Sequence, residues 1–222
     1  MKNILITGGA GFIGSNLTKK LVEKGFKVTV LDNLSKQIHG ENQNSTLFLS
    51  IKDIATFIKG DVCNKSDWEK SLKNQDVVIH LAAETGTGQS MYDISRYNEV
   101  NVLGTTYLLD ILANDNHTVK KIIVASSRSI YGEGKYFCKY HGVLYPGQRQ
   151  DIDMDKGIFN LVCDKCNQPL QLLATDEASK VHPSSIYGIT KQQQEQMILL
   201  MAKTLKIPAV ALRFQNVYGP GQ

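Results

Sequence analysis

The amino-acid sequence predicts an α/β fold, a doubly wound parallel sheet with helices on both faces, and three observations carry that expectation. Short β-branched and apolar runs alternate with longer helical stretches along most of the chain. The first run opens directly into a glycine turn, and only residues 133–183 break the rhythm. Alternation of this kind is the signature of strands that pair in parallel through helical crossovers. At 222 residues, 42% hydrophobic and 21% charged, the chain has room for one large domain and a small insert.

The elements follow in order. "KNILIT" (2–7) is an uninterrupted apolar run suited to a strand buried on both faces, and the amphipathic "FIGSNLTKKLVEKG" (12–25) ends at Gly25. "KVTVLD" (27–32) makes a second strand, and residues 34–55 are polar and loop-like around a short helix. "TFIKGDV" (56–62), "DVVIHLAA" (76–83) and "KKIIVASS" (120–127) are strands three to five, with a helix over 96–114 between the last two. A long helix covers 184–206 and "PAVALRF" (208–214) is the sixth strand. The domains expected are therefore 1–132 with 184–222, and an insert at 133–183.

Charge narrows the partners. A formal balance of +4 with no long Lys/Arg run makes no electrostatic case for nucleic acid or for an anionic membrane. "MKNILITGGAGFIG" is too short to span a bilayer and lacks the order of a signal peptide, so a cytoplasmic protein is expected. Four cysteines then favour thiols or metal ligation over disulfides.

"GGAGFIG" follows a strand and opens a helix. Gly8, Gly11 and Gly14 can make the tight turn, let a pyrophosphate reach the backbone, and seat the helix on the sheet; Phe12 and Ile13 lie in the first turn. The helix N-terminus offers N–H groups and positive dipole to phosphates. Asp32 ends the second strand about 20 residues on, where a carboxylate bonds ribose hydroxyls and repels a 2′-phosphate, which favours NAD over NADP. This pattern makes the sheet Rossmann-type. Asn33 follows that acid, Asp61 and Val62 are placed to cradle the adenine, and Leu81, Ala82 and Ala83 line the next strand end.

"YGITK" sets Tyr187 and Lys191 four residues apart, on one face of a helix. A phenol alone titrates near 10, and a neighbouring ammonium with the positive charge of oxidised nicotinamide favours phenolate. Tyr187 is thereby a candidate base toward an alcohol, and Ser127, ending the fifth strand, is its hydrogen-bonding partner. The catalytic set expected is Ser127, Tyr187 and Lys191.

These pieces, with "LDNLS", "NVLGT", "SSRSIYG" and "RFQNVYGPGQ", resemble the extended short-chain dehydrogenase/reductases of the nucleotide-sugar epimerase and dehydratase family. The resemblance implies tightly held NAD, with Tyr187 as base, Lys191 on the nicotinamide ribose and Ser127 on the sugar hydroxyl. It also implies that Gln89, Ser90, Asn101 and Asn216 face the sugar or its diphosphate. The family's 4,6-dehydratases carry an Asp-Glu pair in the segment corresponding to "SSRSIYG", where this chain has Ser127, Arg128 and Ser129, because elimination across C5 and C6 needs a further acid and base. The chain is more narrowly similar to epimerases of dTDP-L-rhamnose, implying a dTDP-sugar substrate inverted at C4 to dTDP-6-deoxy-L-talose through a 4-keto intermediate. A 4,6-dehydratase, a 4-ketoreductase and, from another class, a non-catalytic NAD-binding regulator or scaffold stand as alternatives. The resemblance further implies a homodimer through helices 96–114 and 184–206. It places a smaller substrate lobe of roughly a hundred residues after "NVYGPGQ", so the chain is expected to be truncated there.

The insert has chemistry of its own. Cys163 and Cys166 in "VCDKCNQPL", and Cys138 and His141 in "FCKYHGVLYP", are two short-spaced pairs with 21 residues between His141 and Cys163. Together they make a Cys3His set, which closes the tetrahedron of a zinc ion and reads as structural, a zinc-ribbon-like clip. Between 135 and 181 six Lys/Arg face six acids, whereas a nucleic-acid ribbon is basic.

Overall fold

The computed structural model describes residues 1–41 and 43–222. Strand β1 (Asn3–Thr7) leads through the glycine turn into α1 (Phe12–Glu23) and β2 (Lys27–Asp32). Two short helices, α2 (Lys36–His39) and α3 (Thr46–Leu49), precede β3 (Thr56–Lys59), and α4 (Lys65–Ser71) joins β3 to β4 (Val77–His80). A 3₁₀ turn at Gln89–Met91 is followed by α5 (Ile94–Tyr97), a π-helical stretch (Asn98–Leu103) and α6 (Gly104–Asn114), the last three running without a break. β5 (Lys121–Ser127) ends in a second 3₁₀ turn, Arg128–Tyr131. Next come β6 (Tyr136–Cys138), β7 (Gly142–Leu144), α7 (Asp151–Met154) and β8 (Gln171–Leu172), then α8 (Ile186–Leu205) and β9 (Ala209–Phe214).

Six strands form one all-parallel sheet in the order β3-β2-β1-β4-β5-β9, the order of a doubly wound dinucleotide-binding sheet. Chain direction across the sheet reverses between β1 and β4, so the crevice at their carboxyl ends is where such folds bind ligands. β1 explains its unbroken apolar run: Ile4 and Ile6 face one side, with Val28, Val30 and Leu17 and Leu21 of α1. Leu5 faces the other, with Leu31, Val78, Trp68, Leu108 and Ile198 under α4, α6 and α8. Both faces of the strand are dry, which is why polar residues never alternate in it.

The six expected strands are present, with β3 and β4 shorter than their sequence runs by three or more residues. β3 stops at Lys59 because Gly60 turns the chain, and the Asp61 N–H donates to the Asp67 carboxylate rather than to a neighbouring strand. Helix α4, which the periodicity left unplaced, is started by Asn64, whose side chain accepts from the Ser66 N–H. The helix expected over 96–114 begins at Ile94 and is interrupted by the π-helical stretch. Residues 133–183 carry a separate antiparallel sheet, β7-β6-β8. No helix among the described residues is long and apolar enough to cross a membrane.

Candidate active site

The glycine turn is shaped by close contacts. Gly8 has φ +67°, and a Cβ there would stand 2.7 Å from the Ala82 nitrogen on β4's extension. A Cβ on Gly14 would fall 2.3 Å from the Gly8 carbonyl oxygen, so helix and turn can touch only through glycine. Gly11 caps α1 with no side-chain hydrogen bond, and no acid occupies the first turn. The leading N–H groups and the dipole of α1 are thereby left for an anionic ligand, which is how a pyrophosphate fits this turn.

Asp32, 9% exposed, ties the turn to β2: its Oδ2 accepts from the Ala10 N–H at 2.9 Å and its Oδ1 from the Leu34 N–H at 2.9 Å. Each oxygen keeps acceptor capacity beyond its backbone bond, and Asp32 lines the cleft at the carboxyl ends of the strands. His39 places Nε2 3.9 Å from Asp32 Oδ1; burial pulls its pKa down, and the Asp32 charge offsets part of that. The amide of Asn33 donates to Asp61 Oδ2 at 2.9 Å. Burial raises the Asp61 pKa, but hydrogen bonds from Cys63 and Asn33 outweigh it and leave the carboxyl below its usual range.

A cleft of about 1080 Å³ runs along the carboxyl ends of the strands. Its walls bring together Gly8, Gly11, Phe12, Ile13, Gly14, Asp32, Asn33, Asp61, Val62, Leu81, Ala82 and Ala83 at one end, and Ser127, Tyr187, Lys191 and Asn216 at the other. Residues far apart in sequence thus share one long groove. The volume is of the size a cofactor site needs.

At the second end, α8 is started by Ser185, whose hydroxyl accepts from the Gly188 N–H, and it presents Tyr187 and Lys191 on the side of β5. Burial raises the Tyr187 pKa, and the Ser127 hydroxyl beside it pulls the other way. The ammonium expected to lower Tyr187 is occupied elsewhere: Lys191 Nζ donates to the Ala125 carbonyl at 2.9 Å and to Gln194 Oε1 at 2.8 Å. Burial pushes Lys191 down to about 7.

The residues expected to face a sugar divide. Asn216 lines the cleft and accepts from Arg128 Nε at 3.4 Å. Asn101 is fully buried behind it: its side chain is engaged by the Glu84 N–H, the Glu84 carbonyl and Thr190 Oγ1. Ser90 is also buried and donates to the Thr87 carbonyl, while Gln89 is exposed and pairs with Gln37; none of the three is in the cleft wall. Sequence reasoning missed His39, Glu84 and Arg96, which do line the cleft, the last two joined at 3.0 Å. Their signal was proximity in space, with no motif to mark it.

In the insert, the donor atoms of Cys138, His141, Cys163 and Cys166 all lie within 4.8 Å of one another. Cys138 Sγ and Cys163 Sγ are each 3.5 Å from His141 Nδ1, and Cys138 Sγ is 3.6 Å from Cys166 Sγ. A tetrahedral zinc with bonds of about 2.3 Å to sulfur and about 2.05 Å to nitrogen sets those edges at about 3.6–3.8 Å. Three of the separations are thus close to the edges of a zinc tetrahedron, and the remaining ones are bounded at 4.8 Å.

The family described as the NAD dependent epimerase/dehydratase family matches residues 4–146 and 162–222. The chain is 38% identical over 225 residues to dTDP-L-rhamnose 4-epimerase of Burkholderia thailandensis, covering 100% of this chain and 59% of that protein. It is 31% identical over 227 residues to dTDP-D-glucose 4,6-dehydratase of Dictyostelium discoideum, covering 100% and 45%. Among solved structures, UDP-N-acetylglucosamine 4-epimerase from Methanobrevibacter ruminantium, in complex with UDP-N-acetylmuramic acid, superposes with a TM-score of 0.70 at 30% identity, over 100% of this chain and 57% of that one. UDP-glucuronic acid 4-epimerase from Bacillus cereus, in complex with UDP-glucuronic acid and NAD, does so with a TM-score of 0.70 at 27% identity, over 99% and 58%. The chain thus spans between 45% and 59% of the length of these relatives.

Proposed function

The chain belongs to the NAD-dependent epimerase/dehydratase family, and from that premise we propose that the protein carrying it is a nucleotide-sugar 4-epimerase, with dTDP-L-rhamnose as substrate and dTDP-6-deoxy-L-talose as product. One observation carries the reaction type: Ser127, Tyr187 and Lys191 stand at one end of a cleft whose other end is marked by the glycine turn and Asp32. In this reading the glycine turn and α1 hold the pyrophosphate of NAD, Asp32 the adenosine ribose, and Asp61 with Val62 the adenine. NAD, when bound, supplies a reversible two-electron acceptor. Tyr187 takes the proton of the C4 hydroxyl, Ser127 orients that hydroxyl, and Lys191 holds the ribose and adds positive charge. The transient 4-keto sugar turns over in the cleft, so that C4 takes the hydride back on its opposite face while Tyr187 gives the proton back to the C4 oxygen. Epimerisation needs no second acid and base.

The carboxylates in the cleft wall favour this over dehydration. They are Asp32, Asp61 and Glu84, and each is engaged: Asp32 by Ala10 and Leu34, Asp61 by Asn33 and Cys63, Glu84 by Arg96. In the segment where a dehydratase carries its acid pair, this chain has Ser127, Arg128 and Ser129. The substrate assignment is tested by incubating the protein at its natural length with dTDP-L-rhamnose and, separately, with dTDP-glucose. NMR should show a rhamnose-derived product of unchanged mass with inverted C4 couplings. Loss of water from the glucose compound would make it a dehydratase.

Asp32 tests the cofactor. Asp32→Asn should weaken NAD binding about tenfold or more, the cost of a hydrogen bond to a charged group, and should shift the NADP-to-NAD affinity ratio toward NADP. Direct titration of both dinucleotides measures it; an unchanged ratio would remove Asp32 from the ribose site.

Three further assignments complete the proposal. Residues 133–183 form a zinc-ribbon-like insert, set into a Rossmann domain made of 1–132 and 184–222, with a structural zinc on Cys138, His141, Cys163 and Cys166. A homodimer through the helix over 96–114 and α8 is supported by Leu103, Ile189, Leu199 and Leu200, which lie exposed along them. No disulfide joins Cys63, Cys138, Cys163 and Cys166, and thiols used for metal rather than for disulfides go with the proposed cytoplasmic location.

A further inference from the structure

Behind the cleft wall, a chain of buried polar side chains runs from Lys191 toward the glycine turn. Gln194 lies one helical turn beyond Lys191 on α8, is fully buried, and does not line the cleft. Its Oε1 accepts from Lys191 Nζ at 2.8 Å, and its Nε2 donates to Thr105 Oγ1 at 2.9 Å, with His80 Nε2 at 3.3 Å. His80 in turn shares a hydrogen bond of 2.7 Å with Thr7, the residue before Gly8.

The direction of this chain is fixed. Thr105 spends its hydroxyl proton on the Asn101 carbonyl at 2.6 Å, so it can only accept from Gln194. Turning the amide over would set its NH2 against the Lys191 ammonium and its oxygen against a hydroxyl with no proton left to give. The amide has one workable orientation, and in it the oxygen faces Lys191.

We infer that Gln194 is a positioning residue for Lys191, holding the ammonium charged and aimed so that its remaining proton points into the cleft. The inference rests on the reading that Lys191 acts on the NAD ribose. An ammonium has three protons; the Ala125 carbonyl and Gln194 take two, and these acceptors compensate part of the burial that pushes Lys191 down to about 7. The other titratable groups on the surrounding elements do not supply that compensation. His80 on β4 is held neutral, burial pushing it down to about 3. Burial keeps the Tyr187 phenol above its usual range, and Glu195 is already taken by Arg213 of β9 and by Ser126. Removing the Gln194 amide strands only Lys191, since Thr105 keeps its bond to Asn101 and His80 Nε2 keeps Thr105 at 3.1 Å.

The test uses Gln194→Met, Gln194→Glu and Lys191→Met, with the Lys191 ammonium titrated by 15N NMR and NAD affinity measured by direct titration. Gln194→Met should lower the Lys191 pKa, moving the loss of its charge to lower pH, and weaken NAD about tenfold, the effect of one hydrogen bond to a charged group. Gln194→Glu keeps the acceptor and adds negative charge, so it should raise the Lys191 pKa and hold NAD affinity within about threefold. A Gln194→Met protein with an unshifted Lys191 titration and NAD affinity within twofold of the parent would overturn the inference. Should Gln194→Met fail to fold, an unshifted Lys191 titration in Gln194→Glu overturns it instead. Lys191→Met separates the two readings: if it leaves NAD affinity intact, the assignment of Lys191 fails. If it weakens NAD while Gln194→Met does not, the role of Gln194 alone fails.

Discussion

Tyr187→Phe is expected to slow C4 inversion by about 10²–10⁴-fold while leaving NAD affinity within about twofold, the range a positioned general base contributes. The substitution removes one oxygen from a ring that is otherwise held in place. Tyr187 packs edge-on to Tyr97 with ring centroids 6.3 Å apart, a contact that phenylalanine keeps. Folding and the cleft should therefore survive, and the loss should fall on kcat. The pH profile carries a second part of the expectation. Burial holds the free phenol above its usual range, so activation depends on positive charge arriving with the ligand and on Lys191 staying charged. Activity should rise with pH as the base is unmasked in the complex and fall again as Lys191 loses its charge. Retention of parental turnover by Tyr187→Phe would end the proposed mechanism, whatever the sugar.

Much of this site was legible in the sequence because its chemistry is tied to strand ends. Gly8, Asp32, Ser127 and Tyr187 each follow or open an element whose apolar run is unmistakable, and a parallel sheet brings strand ends to one edge. The short helix α4 escaped because its apolar signal is only Trp68 and Leu72 against a polar background; its readable mark was the Asn64 cap with Asp67 in the first turn. Asn101, Ser90 and Gln89, which the resemblance points toward the sugar, lie outside the cleft wall. A motif places a residue near a site, but the direction of its side chain depends on partners that only the fold supplies: Glu84 and Thr190 turn Asn101 inward, and the Thr87 carbonyl takes Ser90. Gln194 carried no signal at all, being one of three consecutive glutamines of which only the buried one meets Lys191.

Zinc analysis of protein purified without chelator should find close to one equivalent per chain, and Cys163→Ser should weaken the metal by more than about a hundredfold, beyond what second-shell partners cost. Cys138 and Cys163 are fully buried in a segment whose tip holds little else, and three of the donor separations already match the edges of a zinc tetrahedron. A core this small needs a staple. The same geometry limits how far the damage should spread. The base of the insert is closed by backbone hydrogen bonds that involve no ligand: Gly134 to Tyr131 at 3.0 Å, Leu173 to Lys135 at 2.9 Å and His182 to Ile130 at 2.9 Å. Those bonds lead straight into the start of α8, so Tyr187 and Lys191 are anchored from the sheet side when the tip loosens. Metal removal should therefore make residues 138–166 sensitive to protease while NAD affinity stays within about twofold. Less than half an equivalent of zinc would overturn the metal assignment, and a loss of NAD binding on chelation would instead show that the clip holds the catalytic helix in place.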